Sequence, residues 1–145
     1  MALAAVTATR ATCVRRAVGC VLLSARGHVL STGYNGRAAG LPHCHDRNAH
    51  GVLVHPCEAH AARSGERLDL CEAIHAEQNA LLQCADVHAI DTCFVTTSPC
   101  LTCVKLLLNT GCRRIVFREA YPHAASTLWE AAGRRWELLP GLTPF

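Results

Sequence analysis

The stretch that most constrains this chain runs from Thr92 to Cys103, TCFVTTSPCLTC. Thr92–Thr97 is β-branched, aromatic and thiol-rich, with no charge, and reads as a buried strand. It runs without a linker into Ser98-Pro99, which opens a helix with Ser98 as the expected N-cap and Pro99 at the first helical position. That helix, CLTCVKLLLNTG, is expected to end at Gly111 as a C-cap glycine. Another apolar run, Arg113–Phe117, then reads as a strand. Strand, helix and strand in direct succession predict a right-handed crossover with parallel pairing.

The remaining elements extend this frame. Val18–Leu23 and Val29–Gly33 flank the short turn Ala25-Arg26-Gly27-His28 and read as a hairpin. A helix is expected from about Cys71 to Asp86, with Ile74, Leu81, Leu82 and Ala85 on its apolar side. A further helix is expected over Ala124–Gly133 and a short last strand over Trp136–Leu139. Met1–Thr12 is Ala- and Thr-rich with one Arg and no acid. It reads as an amphipathic first helix with Leu3, Val6 and Arg10 spaced along it, in preference to a transit peptide. The fold class is α/β: a three-layer α/β/α arrangement around a mixed five-stranded sheet. The 145 residues form one domain, with a Cys/His-rich insertion at about 37–70. That insertion is rich in Gly, His, Pro and Arg and has no sustained period. A segment of this kind is functional, disordered, or held by something other than a core.

Ten cysteines and nine histidines are the compositional anomaly. A secreted disulfide framework is one reading, but no signal-peptide pattern is present, and metal ligation by reduced thiolates is the stronger one. Cys20, Cys84, Cys93 and Cys112 lie inside apolar runs and read as small core residues. Net charge is +3, from thirteen scattered arginines and a single lysine against eleven acids. This is too mild for gripping a nucleic-acid polymer. It suits a small anionic substrate, which one arginine can hold bidentately. No apolar run approaches the ~20 residues of a membrane span, and a cytoplasmic enzyme, bacterial or phage-encoded in its host, is expected.

The chemistry rests on two short motifs. Cys100 and Cys103 are three apart at a helix start, so their thiols share a face where the helix N-terminus favours thiolate. In HAEQNA, residues 75–80, His75 and Glu77 are two apart, about 200° around a helix axis. Two helix starts at the carboxyl edge of one sheet can converge, and open α/β sheets place ligands there. One His and two Cys leave a tetrahedral Zn²⁺ with an open position, the arrangement of a catalytic site. Zinc lowers the pKa of bound water from ~15.7 to about 7. His75 then serves the metal, and Glu77 serves the proton.

His-Ala-Glu followed by Pro-Cys-x-x-Cys resembles the signature of zinc-dependent nucleobase deaminases. Further stretches sharpen the likeness: Thr12-Cys13-Val14-Arg15-Arg16 with Val18-Gly19, Ser31–Gly36 (STGYNG), Gly40–Cys44 (GLPHC) and Ser98–Cys103. Together, from Thr12 to Tyr121, they resemble the deoxycytidylate (dCMP) deaminases. The resemblance implies a cytidine-deaminase-like fold and hydrolytic deamination of dCMP to dUMP and ammonia, supplying dUMP for thymidylate synthesis. It implies zinc on His75, Cys100 and Cys103, with Glu77 moving protons. The backbone of Ala76 and Ser98 would orient the pyrimidine, Asn35 would contact the deoxyribose, and Tyr121 would stand near the substrate.

The same resemblance implies that Gly33, Tyr34, Asn35 and Gly36 contribute to an effector site, dCTP activating (with Mg²⁺) and dTTP inhibiting. Read locally, Asn35-Gly36 is a turn dipeptide. It further implies a second, structural zinc with Cys13, Cys44 and Cys71 as ligands and Cys57, His60 or His45 as the fourth. A homo-oligomer is implied, a hexamer favoured. Arg26, Asn79 and Arg118 are the candidates for holding the substrate phosphate, and 5-substituted dCMP is a further candidate substrate. Two other readings use the same residues. A zinc-binding interaction domain has no need of Glu77. A nucleoside or nucleic-acid deaminase shares the catalytic motifs but not the TCxRR and GYNG stretches.

Overall fold

A computed structural model describes residues 1–63, 66, 67, 70–121 and 124–139. In chain order the elements are α1 (Ala2–Ala8), β1 (Gly19–Ser24), β2 (Val29–Tyr34), α2 (Ala76–Gln83), β3 (Ile90–Thr97), α3 (Leu101–Leu108), β4 (Arg114–Glu119), α4 (Ala125–Ala131) and β5 (Arg135–Leu138). The five strands form one sheet in the order β2-β1-β3-β4-β5. β1 is antiparallel to both β2 and β3, whereas β3, β4 and β5 run parallel, as the alternation after Asp91 predicts.

Two glycines set the layers. A Cβ on Gly19 would lie 2.1 Å from the Ala4 carbonyl oxygen and 2.5 Å from the Ala8 nitrogen, so α1 rests on the β1 backbone. A Cβ on Gly33 would lie 2.3 Å from both the Ala76 oxygen and the Ala80 nitrogen, so α2 rests on β2 in the same way. Gly33 stands opposite Cys20 in the ladder, one residue out of phase with Gly19, and successive side chains point to opposite faces. The two helices therefore cover opposite faces of the sheet. On the α2 face, Cys20 and Leu22 of β1, Cys93 and Val95 of β3, and Ile115 and Phe117 of β4 form one core with Val104 and Leu107 of α3 and Trp129 of α4.

Several boundaries differ from expectation, each for a local reason. α1 buries Ala4 and Ala8, not Leu3 and Val6, which are 46% and 64% exposed. Close approach over Gly19 selects the alanine face. α2 begins at Ala76, not near Cys71, because Ile74 exchanges backbone hydrogen bonds with Gly36 and is held in a bridge to the end of β2. It stops at Gln83, so Ala85 lies beyond it, and Leu82 is exposed. The N-cap of α3 is Cys100, not Ser98. The Ser98 amide instead donates to the Glu119 carbonyl (2.8 Å) and its hydroxyl accepts from the Tyr121 amide (2.7 Å). Gly111 is not the cap: α3 ends at Leu108 with Asn109 as its C-cap, and a Cβ on Gly111 would meet the His88 carbonyl oxygen at 2.1 Å. Cys20, Cys93 and Cys112 are fully buried as expected, while Cys84 is half-exposed.

The insertion contains no strand or helix among its described residues beyond the isolated bridge between Arg47 and Leu53 and a turn at Leu70. Its far boundary, Asp69, lies outside the described residues. Polar ties hold it. Arg37 pairs with Glu72 and donates to the Pro42 carbonyl (3.2 Å), the Asn48 side chain accepts from the amides of His50 and Val52, and Arg15 donates to the carbonyls of Arg63 and Glu66.

Candidate active site

The carboxyl end of β3 delivers Ser98, Pro99 and Cys100 to the start of α3, and the Ile74–Gly36 bridge delivers His75 to the start of α2. Each helix begins on one of these residues, with His75 the N-cap of α2 and Cys100 the N-cap of α3. The His75 amide donates to Gln78 Oε1 (2.8 Å), which fixes the helix start three residues on.

His75 Nδ1 lies 3.4 Å from Cys100 Sγ and 3.4 Å from Cys103 Sγ. Three such donors around a tetrahedral zinc, with Zn–S near 2.3 Å and Zn–N near 2.0–2.1 Å, would leave N···S separations of about 3.5 Å. The residues fit the metal without rearrangement. Among the described residues this is the three-ligand cluster within 4.8 Å that His, Cys, Asp and Glu form. Electrostatics agree: the Cys103 thiol and the His75 ring beside it hold the Cys100 thiol down to about 3. His75 is pushed up by its contact with Cys100. Cys103 is pushed up, first by its contact with Cys100 and then by burial.

Glu77 is 4% exposed, and burial pushes its carboxyl above the usual range. Glu77, His75 and Cys100 share the wall of one cleft. A desolvated carboxyl held above its usual range beside a candidate metal site is suited to giving and taking a proton.

The profile of the cytidine and deoxycytidylate deaminase zinc-binding region matches residues 1–119. The chain belongs to this deaminase family. It is 36% identical over 120 residues to a deoxycytidylate deaminase of Mycobacterium phage D29, covering 81% of this chain and 89% of that protein. It is also 36% identical over 139 residues to the deoxycytidylate deaminase of Schizosaccharomyces pombe, covering 92% of this chain. The chain spans 40% and 36% of the length of the two yeast proteins it matches. The fold is shared with the dCMP deaminase of cyanophage S-TIM5, at a TM-score of 0.70 and 22% identity over 95% of this chain and 92% of that one.

In this member of the family, Ala76, Ser98, Asn35 and Tyr121 all line the cleft. Asn35 is also a backbone clip: its Oδ1 accepts from the Val18 amide (2.8 Å) and its Nδ2 donates to the Arg16 carbonyl (2.7 Å). One Nδ2 hydrogen and one Oδ1 lone pair are left for a ligand. Asn79 is not on the cleft wall, and its side chain donates to the Tyr34 carbonyl (2.7 Å). Gly33, Tyr34 and Gly36 are also off the wall. Asn35-Gly36 is no turn, because β2 runs to Tyr34 and Gly36 continues into the bridge with Ile74, packed so that a Cβ would meet Thr12 Oγ1 at 2.2 Å.

Cys13 and Cys71 face the same cleft. The Cys71 thiol donates to Cys13 and lowers it to about 6, while Cys71 itself is raised. Cys44 and Cys57 are buried beneath the insertion, at 1% and 2% exposure. Among the described residues these four do not close into a second three-ligand cluster. His60 Nδ1 lies 2.9 Å from the Cys57 carbonyl, and His45 is exposed beside Asp46. Arg26 and Arg118 are absent from the wall: Arg26 is exposed in the β1–β2 turn and Arg118 pairs with Glu119. The cations that do line the cleft are Arg15 and Arg16, which the sequence displays only as part of the TCxRR stretch.

Proposed function

We propose that the chain deaminates dCMP hydrolytically, dCMP and water giving dUMP and ammonia. The observation that carries this reading is Glu77, buried beside a His-Cys-Cys cluster on the wall of a cleft. Kinship with deoxycytidylate deaminases of phage and yeast supports the substrate, as does the fold shared with a cyanophage enzyme described in complex with dCMP and dUMP.

Zinc held by His75, Cys100 and Cys103 would supply a water acidified enough to ionise near neutral pH. Glu77 would take one proton from the attacking water and pass it to N3 of the cytosine as oxygen adds at C4. It would then carry the second proton of that water, from the C4 hydroxyl, to the exocyclic amine, which would leave as ammonia. The backbone of Ala76 and Ser98, residues of the cleft wall, would orient the pyrimidine, and the remaining hydrogen-bonding capacity of Asn35 would serve the sugar. The reading includes a second, structural zinc on Cys13, Cys44 and Cys71. Its support is two buried thiols in a segment without an apolar cluster, and a Cys13–Cys71 pair close to them.

Ammonia release from dCMP, deoxycytidine and single-stranded DNA tests the substrate. The dCMP reading expects rapid release from the monophosphate alone. Release from DNA, or equal release from deoxycytidine, would overturn it.

A further inference from the structure

We propose that Arg16, supported by Arg15, reads the 5′-phosphate and makes the site specific for a nucleotide over a nucleoside. The inference rests on the dCMP reading and deepens it. Deamination chemistry takes place at the zinc end of the cleft and is indifferent to the phosphate. Discrimination therefore needs a cation elsewhere on the same wall, and Arg15 and Arg16 are the arginines there.

Arg16 is positioned for the task. Its Nη1 is 3.2 Å from Thr97 Oγ1 and 3.4 Å from Glu119 Oε2, and its guanidinium lies 5.7 Å from the centroid of the Tyr121 ring. These contacts fix the planar head at the cleft while leaving its other donors available. The pairing with Glu119 is weak, since the two side chains are 35% and 54% exposed. A phosphomonoester carries more charge than a carboxylate and matches the guanidinium fork bidentately. It can displace Glu119 from Arg16.

Arg15 adds a second, independent observation. Its Nη2 donates to the carbonyls of Arg63 and Glu66, yet its Nε is buried with no partner among the described residues. Buried donors on a charged group are rarely left unpaired, and although the Cys71 thiol also bonds this guanidinium, an anionic oxygen reaching it from the cleft would complete its set. Because the same guanidinium carries the insertion on its other edge, phosphate binding would also brace the backbone at Arg63 and Glu66.

The test compares kcat/KM for dCMP and deoxycytidine in the zinc-loaded wild type, Arg16→Ala, Arg16→Lys and Glu119→Gln. Removing one charge-assisted phosphate contact should lower the dCMP:deoxycytidine ratio about ten- to a hundredfold in Arg16→Ala. Arg16→Lys should recover part of it. Glu119→Gln, which removes the competitor, should lower KM for dCMP about two- to fivefold. 2-Deoxyribose 5-phosphate should compete with dCMP in the wild type and lose that competition in Arg16→Ala. If Arg16→Ala does not fold, the Lys and Glu119→Gln variants decide. A wild type that prefers dCMP while Arg16→Ala or Arg16→Lys keeps the ratio within about twofold would overturn this inference alone. A wild type that handles deoxycytidine as well as dCMP would overturn the dCMP reading, and this inference with it.

Discussion

The half of the molecule that holds the site and the insertion that borders it are stabilised by opposite means. Around β3, the side chains of Cys20, Leu22, Cys93, Val95, Ile115 and Leu107 are all essentially excluded from solvent, and the helix starts at His75 and Cys100 are consequences of that core. Residues 37–63 bury Cys44, Cys57 and Ala59 but otherwise depend on arginine and asparagine side chains bonded to backbone and acids. A core fixes atoms to within tenths of an ångström because packed interiors leave no room to shift. Polar ties at a surface are individually weak and screened. Catalysis is thus built on the first region, while the second supplies a wall that can yield.

The largest expected effect tests whether the rigid region does the chemistry. Glu77→Gln keeps the shape of the side chain and removes its proton-carrying capacity. Turnover of dCMP should fall by about 10²–10⁴, with zinc content and thermal unfolding close to wild type. Since burial already holds the Glu77 carboxyl high, replacing it by a neutral group should not destabilise the metal-free fold at neutral pH, where burying the ionised form is a cost. Near-normal turnover measured by ammonia release would move the proton transfer to another group.

Next in size is a change that moves the scaffold without touching a ligand. In Gly33→Ala the new methyl meets backbone atoms of α2 at 2.3 Å, and neither the Ala76 oxygen nor the Ala80 nitrogen can swing away. Overpacking of this kind costs about 1–3 kcal/mol or more. Because His75 is the N-cap of the displaced helix, zinc affinity should fall with stability. Loss of stability with zinc affinity intact, from a chelator titration, would show that α2 and its N-cap move independently.

The insertion gives the contrasting test. Cys44→Ser should lower the zinc count from two per chain to one and reduce the melting temperature, leaving the metal at His75 in place. A wild-type count of one by elemental analysis would show that polar ties alone hold residues 37–63.

These contrasts explain what the sequence discloses. The candidate site was legible because metal ligation demands fixed residue types at fixed spacings, so the spacing alone singles out His75, Cys100 and Cys103, which the fold brings together. The strands were legible because their apolar runs had no competing period. The failures fall where a tertiary contact overrides a local preference. Leu3 and Val6 outrank alanine in hydropathy, but Gly19 admits only Ala4 and Ala8 against the sheet. Ile74 extends the apolar pattern of α2, but its backbone is committed to Gly36. Arg15 and Arg16 precede the first strand and reach His75 only through the fold, so no spacing rule links them to the cleft. Pairing across the sheet edge was equally invisible, and it provides the smallest effect.

Arg114 on β4 and Glu137 on β5 form a two-bonded ion pair, Nε to Oε1 at 2.9 Å and Nη2 to Oε2 at 2.7 Å. Arg114 holds the Glu137 carboxyl below its ordinary value. A depressed carboxylate stabilises the fold fully above its unfolded pKa, near 4.5, and the contribution is lost as pH falls through the lower folded-state value. The side chains are 33% and 35% exposed, so solvent screening limits the pair to about 0.5–1 kcal/mol despite its good geometry. Glu137→Gln should therefore melt about 2–4 °C below wild type at pH 7, with the gap closing as pH drops below 4.5 and narrowing in high salt. Turnover should not change, because the pair lies on β4 and β5 away from the cleft wall. A gap that persists at pH 3 would mean that Glu137 acts through packing against its neighbours, and the sheet edge would then belong with the core rather than with the polar ties of the insertion.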